Sequence, residues 1–215
     1  MHFFRRFHGP DQPSDDDIRR YIHHQSHNIR FVAASKALGV NSGYIGWRGP
    51  GGKVRPKLVT EFLQSKDPRV RRAMFAAILK QSNAPTPEIF ELAVKAVKDP
   101  AESWWVKDAA LQIIGRGSAD QIAPLTDMLL GYLKHEENWL RNAALTALTP
   151  VAADERCYKK VLPAIGDLVR TNQRVSVTRG LAAGIRAKIK EASPAVQKLA
   201  TDTLQETFTG YAGTK

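Results

Sequence analysis

The sequence predicts an all-α protein, a right-handed α-α superhelix of about four to five stacked helical hairpins, and three observations carry that prediction. The first is the stretch Asn138-Trp-Leu-Arg-Asn-Ala-Ala-Leu-Thr-Ala-Leu148. With Leu140 as position zero, Ala143, Ala144, Ala147 and Leu148 stand three, four, seven and eight residues on, offsets that share one helix face. The second is recurrence: Val70, Ala73, Met74, Ala77 and Ile78 fit the template, as do Val106, Ala109, Ala110, Ile113 and Ile114, and more loosely Val177, Gly180, Leu181, Gly184 and Ile185. The third is the period, since the zero positions Val70, Val106, Leu140 and Val177 lie 36, 34 and 37 residues apart. Such a period with this content describes paired helices that bury their faces only by stacking on neighbours.

Taken in order, residues 1–13 hold two prolines and no helical periodicity and read as a flexible arm. Ser14 before Asp15, Asp16 and Asp17 is a helix start, because a side-chain oxygen and negative charge both favour the free amides, and the helix is expected to run to about Gln25. A second helix, His27 to Leu38, ends at Gly39 and resembles the repeated second helix shifted by one residue, so residues 14–54 form a degenerate hairpin and its loop. In that loop, six glycines and a proline between Gly39 and Lys53 preclude a helix. Trp47 and Val54 replace the glycine and hydroxyl that a phosphate-cradling loop needs, which leaves softer anion contact through Arg48, Lys53, Arg55 and Lys57.

From residue 55 to 190 each unit has a first helix A, a turn and a second helix B. Pro56 to Gln64 precedes Asp67 to Lys80, and a helix capped by Thr86, opened by Pro87 and ending at Val97 precedes Ser103 to Gly115. Ser118 with Gln121 is a capping box for the helix that precedes the Asn138 stretch. Asp154 is expected to open the next A helix, with B from about Arg174 to Lys190. Residues 191–215 hold a capping helix started by Ser193 and Pro194, and a tail. Pro124 and Pro163 fall early in A helices, where a missing amide is tolerated.

Pairs with a proline in A and a Val-Arg-x-Ala-Ala B helix resemble HEAT repeats, of the kind found as PBS-lyase HEAT-like repeats. Asp67-Pro-Arg-Val-Arg-Arg-Ala73, Trp105-Val-Lys-Asp-Ala-Ala110 and Trp139-Leu-Arg-Asn-Ala-Ala144 carry the resemblance. It implies an armadillo-like α solenoid serving as a binding scaffold, with a ladder in which Asp67 pairs with Arg71 and to which Arg141 and Lys107 belong. A second stretch, Ser103-Trp-Trp-Val-Lys-Asp108 with Trp139 one repeat on, is similar to the tryptophan and aspartate constellation of HEAT-repeat alkylpurine DNA glycosylases. That likeness implies Asp108 as the carboxylate and Trp104 or Trp105 with Trp139 as the aromatic partners; Val106 stands where that family has an aspartate.

Helical geometry makes a prediction of its own: residues two after position zero, Arg72, Asp108, Asn142 and Arg179, point away from the paired A helix and form the binding surface. Trp105 and Trp139, each one before position zero, are expected to pack between repeats, whereas Trp104 is a candidate anchor for a peptide or a base. His23 and His27 stand one turn apart beside His24, but two such ligands without a third make no metal site. Cys157 lies between Arg156 and Lys159 with no histidine and acid pair around it and reads as a buried or idle thiol.

The net charge of +11 is unevenly spread: 15 basic against 6 acidic residues in 1–85, 6 against 9 in 86–153 and 11 against 6 in 154–215, for nets of +9, −3 and +5. A basic first third points to an anionic partner, with a protein foremost and nucleic acid as the alternative. No run is long and apolar enough for membrane insertion, no cofactor or metal is expected, and enzymatic activity is expected only if the glycosylase resemblance holds. If the chain is complete, the lack of an export signal places it in the cytoplasm.

Overall fold

A computed structural model of the protein describes residues 13–40, 52–81, 83–171 and 179–209, and their side chains except at 169–170, 179–183 and 205–209. Every regular element among them is helical, and neighbouring helices pack on one another, as expected of an all-α helical-repeat fold. The chain forms two compact units, Met1–Ile113 and Ile114–Lys215.

The first unit contains α1 (Asp15–Ile22), α2 (His27–Ala37), α3 (Pro56–Leu63), α4 (Pro68–Leu79), α5 (Pro87–Lys98) and most of α6 (Trp104–Ile114). Ser14 and Asp17 make a reciprocal capping box at the start of α1. The helix stops at Ile22, short of Gln25, because His23 leaves helical geometry and the His24 amide turns back to the Tyr21 carbonyl. At the end of α2, Gly39 adopts φ +67°, while its amide and that of Val40 bond the Lys36 and Ser35 carbonyls. That is the six-residue closure a left-handed glycine permits. Any side chain at Gly39 would also strike Gly52 and Val54, because the returning loop crosses there and the Arg55 amide bonds Ala37. α1 packs on α2, α3 on α4, and α4 on α2, so the first two hairpins close on themselves and the second B helix lies against the first.

The second unit holds α7 (Ala119–Ile122), α8 (Thr126–Tyr132), α9 (Asn138–Leu148), α10 (Tyr158–Thr171), α11 (Arg179–Lys190) and α12 (Pro194–Thr209). Ser118 and Gln121 form the expected capping box. Pro124, which has no amide to donate, turns Ala123–Leu125 into a 3-10 segment and splits this A helix in two. Pro163, by contrast, is carried inside α10. The start expected at Asp154 falls instead at Tyr158, because Asp154 caps a turn, accepting the Arg156 amide at 2.9 Å before the helix begins. α12 covers α10 and α11.

The template residues are the core of both units. Val70, Val106 and Leu140 at position zero, and Ala73, Ala109, Ala143, Ala110 and Ala144 after them, are all buried. Small side chains there let backbones approach: a Cβ at Gly115 would lie 2.9 Å from the Ala147 Cα.

The first hairpin is in register with the rest, not one residue out. Arg30, Arg71, Lys107 and Arg141 are each the fourth residue of their B helix. Position zero of α2 is therefore Ile29, and Lys36, 5% exposed, fills the seven-on position that Ala77 and Ala147 fill elsewhere.

Candidate functional site

Before three of the B helices, α2, α4 and α9, the recurring basic residue braces the turn. Arg30 Nη1 donates to the His24 and Gln25 carbonyls, both at 2.7 Å. Arg71 donates to the Ser65 carbonyl, and Arg141 to those of His135 and Glu136. In two of these turns a histidine folds back in the same way: His24 Nδ1 accepts from the Ser26 amide and His135 Nδ1 from the Glu137 amide, each at 3.0 Å.

The expected ladder is corrected by these contacts. Asp67 caps α4, accepting the Arg69 amide at 2.8 Å, and its carboxylate is held by the Arg69 guanidinium, which keeps it below the usual carboxylate range. Arg71 instead forms a two-pronged pair with Glu102 of the next hairpin, at 2.6 and 2.7 Å. Glu102 is nearly buried and also accepts the Ser103 amide at 2.8 Å. A charged group at that depth is tolerable because all its bonds are made. The sequence offered one signal for it, a carboxylate directly before the helix-starting Ser103, which is where the Arg71 guanidinium reaches.

Within the first unit the predicted surface residues come together. The Arg72 guanidinium lies over the Trp105 ring, 5.6 Å from its centroid, an attraction between a cation and the negative ring face. Asp108 is half-buried, and its carboxyl is pushed up by burial against the opposing effects of a 3.2 Å bond from Gln112 and the Arg72 charge. Trp105 is half-buried, while Trp104 beside it is 44% exposed. His27 and Arg30 adjoin the same group: Arg72 and Arg30 add to the loss of water in holding the His27 imidazole below its ordinary value.

In the second unit Asn142 is half-buried, with its carbonyl accepting from Thr146. Trp139, expected between repeats, is 61% exposed, because the second position of α9 faces solvent. The side chain of Arg179, the first residue of α11, and the whole of Arg48 and Val177 lie outside the described residues. Lys53 and Lys57 are exposed. Arg55 is engaged within the protein: its guanidinium clasps the loop to α1 and α2 through Asp15 at 2.7 Å and the Pro13 and Lys36 carbonyls at 2.8 and 2.9 Å. Cys157 is buried before α10 and accepts from the Thr126 hydroxyl at 3.3 Å. Among the described residues no three histidine, cysteine or acidic side chains are grouped to hold a metal, and no helix is long and apolar enough to cross a membrane.

No family model matches the sequence, and a search of curated proteins finds no match. Among solved structures, the chain is similar to the crystal structure of an engineered protein, with a TM-score of 0.58 and 18% identity over 90% of each chain. At that identity the likeness concerns the fold alone.

Proposed function

We propose that the protein is a non-enzymatic HEAT-repeat binding module that holds an anionic partner, a protein segment foremost, on the exposed side of its B helices. The observation that carries this reading is the Arg72 group of the first unit. A guanidinium is fixed over Trp105 and makes no hydrogen bond among the described residues, so its donors remain for a ligand. An exposed Trp104 next to it can anchor an apolar side chain. The region's net charge of +9 over residues 1–85 would steer an acidic partner to that end.

The alternative, excision of alkylated purines at Asp108, is less well supported. Such a role asks for an open tryptophan face beside the carboxylate, and Arg72 lies over the ring of Trp105, which leaves Trp104 as the exposed candidate in this unit.

The test is binding of an acid-rich peptide and of duplex DNA across a salt series. Arg72→Glu should abolish peptide binding while circular dichroism and melting stay as in the wild type, and unchanged binding would reject the assigned surface. A nucleic-acid partner would show itself by a steep fall in affinity with salt. Release of 3- or 7-alkylated purines from methylated duplex DNA, lost in Asp108→Asn, would replace the binding role with the excision role.

A further inference from the structure

The turn between α1 and α2 carries positive charge that its own acids do not balance. Arg30 is 7% exposed, and its Nε is buried with no acceptor among the described residues. Its charged neighbours are His27 on α2, Asp67 before α4, and Arg69 and Arg72 on α4, the helix that packs against α2; Asp67 in turn faces His23, and Arg72 faces Asp108 on α6. Asp67 is committed to Arg69, and Asp108 is half-buried beside Gln112. Burial first, and then the Arg69 and Arg72 charges, push the Arg30 guanidinium below its ordinary value against the pull of Asp67. The start of α2 adds to this field, because the Ser26 side chain makes no capping bond there and the first amides of a helix carry partial positive charge. A desolvated cation short of acceptors is costly, and an anion brought in from outside relieves that cost.

We propose that His27, Arg30, Arg69 and Arg72 form the docking point for the phosphoryl group of a phosphorylated peptide segment, an inference that rests on the binding role above and names its ligand. A phosphoryl group brings nearly two negative charges and three acceptor oxygens, enough to engage the Arg72 fork and the α2 amides together. A single carboxylate offers half the charge and fewer acceptors. Cations confined to the two helices α2 and α4 favour a point charge over a nucleic-acid backbone, which needs cations spaced along its length. Here the next B helix presents Asp108 in the place of Arg72, and residues 86–153 carry a net −3.

The experiment titrates the full chain with a short phosphoserine peptide of neutral flanks, its unphosphorylated form and its glutamate form, followed by anisotropy and tryptophan fluorescence, with duplex DNA as competitor. The phosphopeptide should bind saturably, the glutamate form about tenfold more weakly, and the unphosphorylated form not at all. Arg72→Gln, whose side chain makes no hydrogen bond among the described residues, should weaken the phosphopeptide about tenfold while the circular dichroism spectrum is kept. Equal binding of the phospho and glutamate forms overturns the phosphoryl inference and leaves the anionic-partner role standing. Absence of binding by either form overturns both. Binding of DNA with a steep salt slope, without phosphopeptide binding, overturns the inference and assigns the surface to nucleic acid.

Discussion

The turn of residues 24–30 and that of residues 135–141 are the same local construction finished in two ways. Each has a histidine folded onto the amide two residues on and an arginine reaching back to two carbonyls. In the second, Asn138 opens the B helix, and its side-chain oxygen takes a third donor from Arg141 at 3.2 Å. In the first, His27 stands at that position with no side-chain oxygen to offer Nη2, and a different donor, the Arg30 Nε, is buried without an acceptor among the described residues. A third version, at Arg71, is completed by Glu102 from the neighbouring hairpin. The difference teaches that the repeat supplies the turn, while one or two substitutions decide whether its arginine is a finished structural part or a cation that still lacks a counter-charge.

That comparison can be broken or sharpened by substitution. Glu102→Ala should have the largest effect, about 3 kcal/mol in urea unfolding, because it strands the Arg71 guanidinium; replacing both members by methionine should recover most of it. Arg141→Ala should cost about 2 kcal/mol, by removing charged donors from two turn carbonyls that have no substitute. A smaller and more pointed effect belongs to the exchange at the first helical position. His27→Asn, giving Arg30 the acceptor that Arg141 enjoys, should stabilise by about 0.5–1 kcal/mol, and Asn138→His should destabilise by about as much.

The smallest effect is in the pH dependence. The His27 pKa is held below its unfolded value of 6.5, so the folded state binds fewer protons there than the unfolded chain. The stability this confers is complete above about pH 6.5 and is lost as the pH falls through the lower folded value. His27→Asn should flatten that decline in melting temperature between pH 7 and pH 5, measured as the difference from the wild type.

The helices were legible because periodicity and capping are local. Ser14, Thr86 and Ser118 cap as their neighbours suggested, and α9 spans the Asn138 to Leu148 stretch that defined the template. The register of α2 was hidden for two physical reasons. The glycine-rich insertion stretches the interval from Arg30 to Arg71 to 41 residues, and Lys36 is buried where the pattern elsewhere shows an alanine or isoleucine.

The candidate site was legible only in part. Arg72 and Asp108 follow from helix geometry, and the first unit brings them together with Trp105, whose place in the repeat predicts packing instead. The partners of charges were not readable, since Asp67 turns to Arg69 two residues away and Arg71 to Glu102 thirty-one residues on. Pairing across hairpins depends on the stacking of elements, which no single helix encodes. Trp139 misled for the same reason: it shares its place in the helix with Trp105, but no guanidinium among the described residues lies over its ring, and it is exposed to solvent.

The most direct measurement is the proton and nitrogen NMR spectrum of the arginine Nε groups, recorded while the phosphoserine peptide is added. Saturable shifts of the Arg30 and Arg72 signals, with Arg141 unmoved, are the predicted result. Equal shifts at all three, or none at Arg30 and Arg72 when the peptide is in excess, would contradict the account.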